Sequence, residues 1–250
     1  VLRLGAQRAT GNVGNVTHAK QTGASTATWL TNEGTQAAES TQTFVQTSAT
    51  PKTVGVYQEI SHHTFKQVSP AGEQFYRNGL AADLAIAGDV AVLNGSGASG
   101  QPLGIIGTAG IGSVVGASID YAKCVEFQSD VADANAALNP GTLGYVTTPT
   151  VAALLKGRQR FTGTDSPLWR GAIVEGDIEG NRAMSSKQMP TASMLYGDWS
   201  TLVLVEWGTL QLEVNPFANF PAGILGIRAL WTFDVIVTYP TAFSLATSIT

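Results

Sequence analysis

The sequence predicts an α+β fold, and three observations carry that expectation. One long stretch, Ser69 to about Leu93, repeats its apolar residues at helical spacing. The last third alternates apolar and polar residues in strand fashion, most clearly over Gly226 to Tyr239. Between them lies a glycine-dense stretch, Asn94 to Ile106, directly after the long helical pattern.

The elements follow in order. Residues 1 to about 25 are rich in Gly, Thr, Ser, Ala and Gln and show little apolar periodicity, so alone they cannot offset their ordering entropy. They are expected to be an arm ordered only by neighbours. Ala27–Thr31 and Thr41–Val45 look like short strands flanking a polar turn from Asn32 to Glu39, and together predict a β-hairpin. A strand is expected over Thr53 to Phe65, with Val54, Val56, Gln58 and Ile60 on one face. His62 and His63 would then point to opposite faces, which disfavours joint chelation of a metal.

Pro70 suits the first turn of the long helix, where its missing N–H costs nothing. Val68, Ala71, Phe75, Ala82, Ile86, Val90 and Leu93 are expected to form its apolar stripe. The glycines that follow are placed to supply the positive φ angles of a helix end. Ser118 or Asp120 can cap a second helix that runs to about Leu138. Leu143–Thr148 predicts a strand, Thr150 the start of a short helix, and Asp165–Gln188 a loop with a weak strand at Ala172–Val174. Leu202–Glu206 and Thr209–Val214, joined by Trp207-Gly208, predict a hairpin. On the final strand Ile227, Ala229, Trp231, Phe233, Val235 and Val237 would share a face.

Composition narrows the function. Of the 250 residues 44% are hydrophobic and only 13% charged, about half the usual share. A surface so poor in charge suits a protein covered largely by copies of itself. Net charge is −4 and the 14 basic residues form no run, which disfavours sequence-specific nucleic-acid binding. The single cysteine, Cys124, excludes a disulfide framework and a multi-thiolate zinc site. No apolar run reaches the ~18–20 residues of a membrane helix and no signal peptide opens the chain, so folding in a cytoplasm is expected.

Catalytic motifs do not assemble. The glycine-rich turn lacks the lysine and hydroxyl of a phosphate loop, since Gly100 is followed by Gln101 and Pro102. No Gly-x-Ser-x-Gly elbow occurs. Asp177 and Glu179, two residues apart, and Asp198 in Tyr-Gly-Asp-Trp are the carboxylates a small hydrolase would use. A solvated acidic turn explains the first two. A turn that uses Gly197 for backbone freedom and Asp198 for a local hydrogen bond explains the third. No catalytic residue, cofactor or metal is assigned.

The turn also carries a resemblance. A helix ending in Leu93-Asn-Gly-Ser-Gly97, then Gly100-Gln-Pro-Leu-Gly-Ile105, resembles the major capsid proteins of tailed bacteriophages, with the Hong Kong ninety-seven-type shell fold. Trp29–Gly34 with Thr43-Phe44 resembles that family's extended loop. Tyr145–Pro149 and Leu195–Ser200 resemble its axial-domain segments, and Val235–Val237 with Pro240–Phe243 its closing strand. These pieces occur in the family's order from about residue 26 to the C-terminus.

The resemblance implies an N-terminal arm (1–25), an extended loop (26–52), a peripheral domain built on a long spine helix (53–118), an axial domain (119–225) and a closing strand (226–250). It implies a non-enzymatic shell subunit that assembles as hexamers and pentamers around phage DNA in the host cytoplasm and resides in the virion. Portal and decoration proteins are the implied partners. Trp29, Glu33 and Phe44 are the implied subunit-interface residues, Gly100, Pro102 and Gly104 the structural turn, and Tyr196, Gly197, Asp198 and Trp199 the axial core. An encapsulin-like compartment is the alternative with the same fold. Val1 in place of methionine fits the proteolytic removal of an N-terminal scaffolding segment, as in many of these proteins. The family's lysine–asparagine crosslink is not carried over, because no lysine lies between Ala27 and Val45 and Lys20 and Lys52 are expected at the loop's base.

Overall fold

Local signals start and stop most of the elements in the computed structural model, which describes all residues except 24, 31, 33, 35, 37, 68–70 and 137–138. The N-terminal third holds β1 (Gln7–Ala9), β2 (Val16–Gly23), β3 (Thr43–Ala49), β4 (Lys52–Ser61), the short helix α1 (His62–Gln67) and the long helix α2 (Ala71–Asn94). The middle holds β5 (Gly112–Val115), α3 (Tyr121–Asp133), β6 (Leu143–Thr147) and α4 (Pro149–Gly157), then β7 (Arg170–Gly171), β8 (Glu175–Ile178) and β9 (Asn181–Ser185). The end is β10 (Met194–Asp198), β11 (Leu202–Glu206), β12 (Gln211–Asn219), β13 (Ile224–Val237) and β14 (Phe243–Thr247).

Among the described residues the strands form three sheets. A seven-stranded sheet runs β5-β14-β10-β6-β9-β8-β7. Its core packs Trp199, Tyr145, Tyr196 and Phe243 against Phe127 of α3 and Leu155 of α4. Burying an aromatic ring commits its polar handle to a partner. Trp199 Nε1 accordingly donates to the Gly144 carbonyl at 3.0 Å and Tyr145 Oη to the Cys124 carbonyl at 2.7 Å. The second sheet is organised by β13, with β4 along one edge and β11 and β12 in succession along the other. β1 adds in parallel to β11. The third sheet is a two-stranded ribbon, β2 with β3.

Several expectations needed correction. The residues 202–214 do not form a hairpin on themselves. Leu202 pairs with Val237 and Gln211 with Leu230, so β11 and β12 form one interrupted arm of a hairpin with β13. Trp207-Gly208 is a kink within that arm, with Gly208 at φ +76°, and Trp207 N keeps the ladder by donating to Thr232 O at 3.1 Å. The "loop" 165–188 contains three short strands of the large sheet, which end at its edge strand β7, and none of them covers the expected Ala172–Val174. The long β4 run stops at Ser61, where its partner β13 begins at Ile224. Ser61 Oγ accepts from Thr64 N and starts α1, so His62 and His63 open a helix rather than end a strand. α3 ends at Asp133, short of the expected Leu138, because Asn135 turns left-handed (φ +51°) and Ala136 N donates back to Val131 O. Of its two candidate caps Asp120 acts, accepting from Lys123 N at 2.9 Å. Leu138 and the helix-opening Ser69 and Pro70 lie outside the described residues.

The apolar stripe of α2 is the largest reassignment. Leu80 and Leu84, not Phe75 and Ile86, face inward, where they pack on Ile60, Ile227 and Ala229. Phe75 is 73% exposed and Ile86 49%. Gly88 sits where α2 crosses β13: a Cβ there would lie 2.3 Å from the ring of Trp231. Leu93 is buried as expected. On the final strand Ile227, Ala229, Phe233 and Val237 are buried as expected, but Trp231 and Val235 are only partly so, and Asp234 and Ile236 on the other face are buried as well. Its continuation β14, however, returns to the large sheet between β5 and β10, so residues 226–250 serve both sheets. The N-terminal segment is also part of the body. Leu4 is buried in the main core and β1 extends a sheet, since a few apolar side chains suffice once a partner strand exists.

Candidate assembly surface

The ribbon is the element with the least core of its own. Val16 pairs with Ala49 and Gly23 with Thr43, so the first strand runs over Val16–Gly23 rather than the expected Ala27–Thr31. The β-branched residues Val16, Thr17 and Thr22 do not alternate with the polar ones there, so no period-2 signal rises above the polar composition of the arm. Residues 25–30 carry no strand, and Trp29 stands 94% exposed with Leu30 beside it. Phe44 and Val45 on β3 are exposed as well. Glu33 lies outside the described residues. Lys20 sits opposite Val45, partway along the ribbon rather than at its base.

The base of the ribbon is well tied down. Ala49 is fully buried against Val203, Val205 and Ile236. Thr50 N donates to Asp234 Oδ2, and Lys52 Nζ to both Asp234 oxygens, each at 2.9 Å. On the other leg Trp207 Nε1 donates to Gly14 O at 2.6 Å, and Asn12 Nδ2 to Glu206 O at 3.1 Å. The Glu206 carboxylate, also buried, accepts from Arg8. Of these residues, sequence reading expects Lys52 at the base and Trp207 at a turn, but not the groups they meet or the acids that serve as anchors. The available signal was an acid interrupting each apolar strand, Glu206 in β11 and Asp234 in β13.

The glycine turn works through contact as much as through φ. Gly97 (φ +69°), Ser99 (φ +52°) and Gly100 (φ +77°) take the left-handed conformations. Gly95, directly after the helix, does not. It and Gly104 are required by close approach: a Cβ on Gly104 would meet Gly95 N at 2.4 Å, and one on Gly95 would meet Pro102 O at 2.3 Å. Pro102 is buried. The N–H groups of Gly97, Gln101 and Gly104 all donate to carbonyls within the turn, so they are not presented to an anion.

Tyr196, Gly197, Asp198 and Trp199 come together in the centre of the large sheet, all buried. Gly197 provides space rather than conformational freedom: its Cβ would lie 2.3 Å from the Phe243 ring and 2.4 Å from Ala242 O. Asp198 accepts from Ser200 N, from the hydroxyls of Ser200 and Thr142, and from Asn139 N. Burial pushes its carboxyl upward, but these donors outweigh burial and hold it below the usual value. The other two carboxylates are engaged separately. Asp177 accepts from Gly180 N and pairs with Arg170, and Glu179 pairs with Arg160. Glu179 is half-buried, so this turn is less solvated than its sequence suggests. Among the described residues no cluster of three or more His, Cys, Asp or Glu side chains could hold a metal ion.

A seven-stranded mixed sheet, a helix-backed second sheet and an outlying ribbon define an α+β architecture seen in phage shells. The fold superposes on the capsid of a native GTA particle computed with C5 symmetry (TM-score 0.79, 16% identity, all of this chain and 90% of that one). It likewise matches structures from Mycobacterium phage Bobi (TM-score 0.76, 12% identity, 98% and 89% of the chains) and Gordonia phage Cozz (0.73, 17%, 98% and 85%). At such identities these likenesses speak for the fold alone. The sequence goes further: the chain belongs to the phage capsid family, whose model matches residues 1–248. It is similar to the major capsid protein of Halomonas phage phiHAP-1, 30% identical over 246 residues. The match takes in 97% of this chain, which spans 39% of the length of that relative.

Proposed function

We propose that the chain is the shell-forming subunit of a tailed phage. It has the Hong Kong ninety-seven-type fold and assembles as hexamers and pentamers into an icosahedral capsid around double-stranded DNA. The observation that carries this reading is the uncovered indole of Trp29, in the segment joining the two strands of a ribbon without a core, in a chain of the phage capsid family. An isolated two-stranded ribbon is barely stable in water, so a neighbour must cover it. In this reading the ribbon is the extended loop, α2 with the β13 sheet is the peripheral domain, and the seven-stranded sheet is the axial domain. Portal and decoration proteins attach to the finished shell. DNA is enclosed without sequence readout, consistent with the net charge of −4. Assembly takes place in the host cytoplasm and the product is the virion.

The test is Trp29→Asp. Burying an indole across a subunit boundary is worth about 2–4 kcal/mol, and a heterologous contact repeats around every ring. The variant should keep a native circular dichroism spectrum while shells disappear from electron micrographs. Unfolding of the subunit would assign Trp29 to an internal core, and normal shells would remove the ribbon's bridging role. Nucleic acid inside purified shells is the expected cargo, and protein cargo in its place would favour a compartment shell.

A further inference from the structure

We propose that Asp234 is the positioning residue that sets the angle at which the β2–β3 ribbon leaves the body of the subunit. β3 ends at Ala49 and β4 begins at Lys52, so only Thr50 and Pro51 connect two different sheets. The proline ring fixes its own φ and biases Thr50 towards an extended backbone, but Thr50 and Pro51 keep freedom in ψ. Asp234 spans this junction. One carboxylate oxygen accepts from Thr50 N at the ribbon's end, and both accept from Lys52 Nζ at the start of β4. Its own aim is fixed by Val235 N, which donates to Oδ1 at 2.9 Å.

Two further observations give that position its role. Asp234 is 3% exposed and lies beside the apolar cluster of Ala49, Val203, Val205 and Ile236. Burying a charge there is costly, and an apolar residue would serve the sheet at least as well. What an apolar residue cannot do is hold Thr50 and Lys52. Beyond the base, a crevice of about 270 Å³ lined by Lys20, Thr22, Gly110, Tyr239 and Pro240 separates ribbon from body, so packing does not determine the angle there. The other leg is held at Gly14 by Trp207. Two anchored legs fix a direction, whereas a single anchored leg would act as a pivot.

Hydrogen–deuterium exchange on the purified, unassembled full chain tests this. Asp234→Asn should accelerate exchange in the β2–β3 peptides about tenfold, the consequence of losing a charge-assisted contact. Peptides from β6 and β10 should be unchanged. Ribbon exchange equal to that of the unmodified chain, or a rise of the same size in every peptide, would overturn the proposal. If Asp234→Asn does not fold, the double variant Asp234→Val with Lys52→Met removes both charges and carries the same comparison. The proposal rests on the bridging role of the ribbon only for its consequence, a lower yield of shells. Fast ribbon exchange with normal shells would keep the clamp and refute the bridging role.

Discussion

At the scale of single residues, the buried polar groups are distinguished by what they hold. Asp198 is fully buried, yet its four donors come from three residues in two segments, Asn139 and Thr142 in one turn and Ser200 in another. Asp198→Ala leaves those donors without an acceptor and should cost about 3 kcal/mol in urea unfolding. Because its folded pKa is depressed, the stabilisation is fully present above the unfolded value of about 3.9 and is lost as pH falls through the lower folded value. Unfolding midpoints taken between pH 5 and pH 2 should therefore fall less steeply for Asp198→Asn than for the unmodified chain. An identical slope would mean that Asp198 contributes nothing to acid sensitivity. Cys124 lies at the opposite extreme. Burial, with Asp120 and Glu179 adding to it, pushes its thiol up to about 12, so no thiolate is available near neutrality. A thiol reagent at pH 8 should leave the folded chain unlabelled and label it once in denaturant. Fast labelling of the folded chain would contradict the burial.

At the scale of elements, α2 shows that a helix can be legible while its orientation is not. Its periodic pattern contains two apolar stripes, one through Leu80 and Leu84 and one through Phe75, Ile86 and Val90. Either could face a core by periodicity alone. The β13 sheet decides, because Ile227, Ala229 and Trp231 offer a surface into which the Leu80–Leu84–Gly88 side fits. Leu84→Ala should accordingly destabilise the unassembled chain by about 3 kcal/mol, while Ile86→Ala should stay within about 0.5 kcal/mol. Chemical denaturation of the two variants side by side measures the contrast, and equal losses would return Ile86 to the core. The 202–219 arm teaches the same lesson. Its strands were visible as apolar runs, but their partner was not, because pairing is decided by the long β13 and not by the nearest turn.

For the whole molecule, β13 is the link between two cores. Its first half packs with α2 over Leu80 and Leu84, and its second half, from Phe233 to Val237, joins the core of the large sheet. A strand with ladders on both edges cannot be released on one half without straining the other. Thermal unfolding of the chain should therefore be a single transition, with circular dichroism and tryptophan fluorescence superimposable. Two separated transitions would show that the α2 sheet and the seven-stranded sheet fold independently. The surface tells a complementary story. Phe75, Ile86, Trp29 and Phe44 all remain uncovered on a charge-poor chain, which fits a subunit whose burial is completed by others of its kind.

The amino-acid sequence by itself determined the kinds of elements and many of their ends. The period of α2, the alternation of β13 and the Asp120 cap are local properties, written within a few turns or residues of chain. It also carried the family, through short motifs kept in order. Tertiary structure alone decided which stripe of α2 is inside, which strand β11 and β12 pair with, and why Gly197 and Gly104 must lack a side chain. It alone brought Asp234 to Thr50 and Lys52 across some 180 positions. Those are relations between distant surfaces. Period and propensity repeat along the chain, but a contact exists only where two segments meet, and no local pattern specifies its partner.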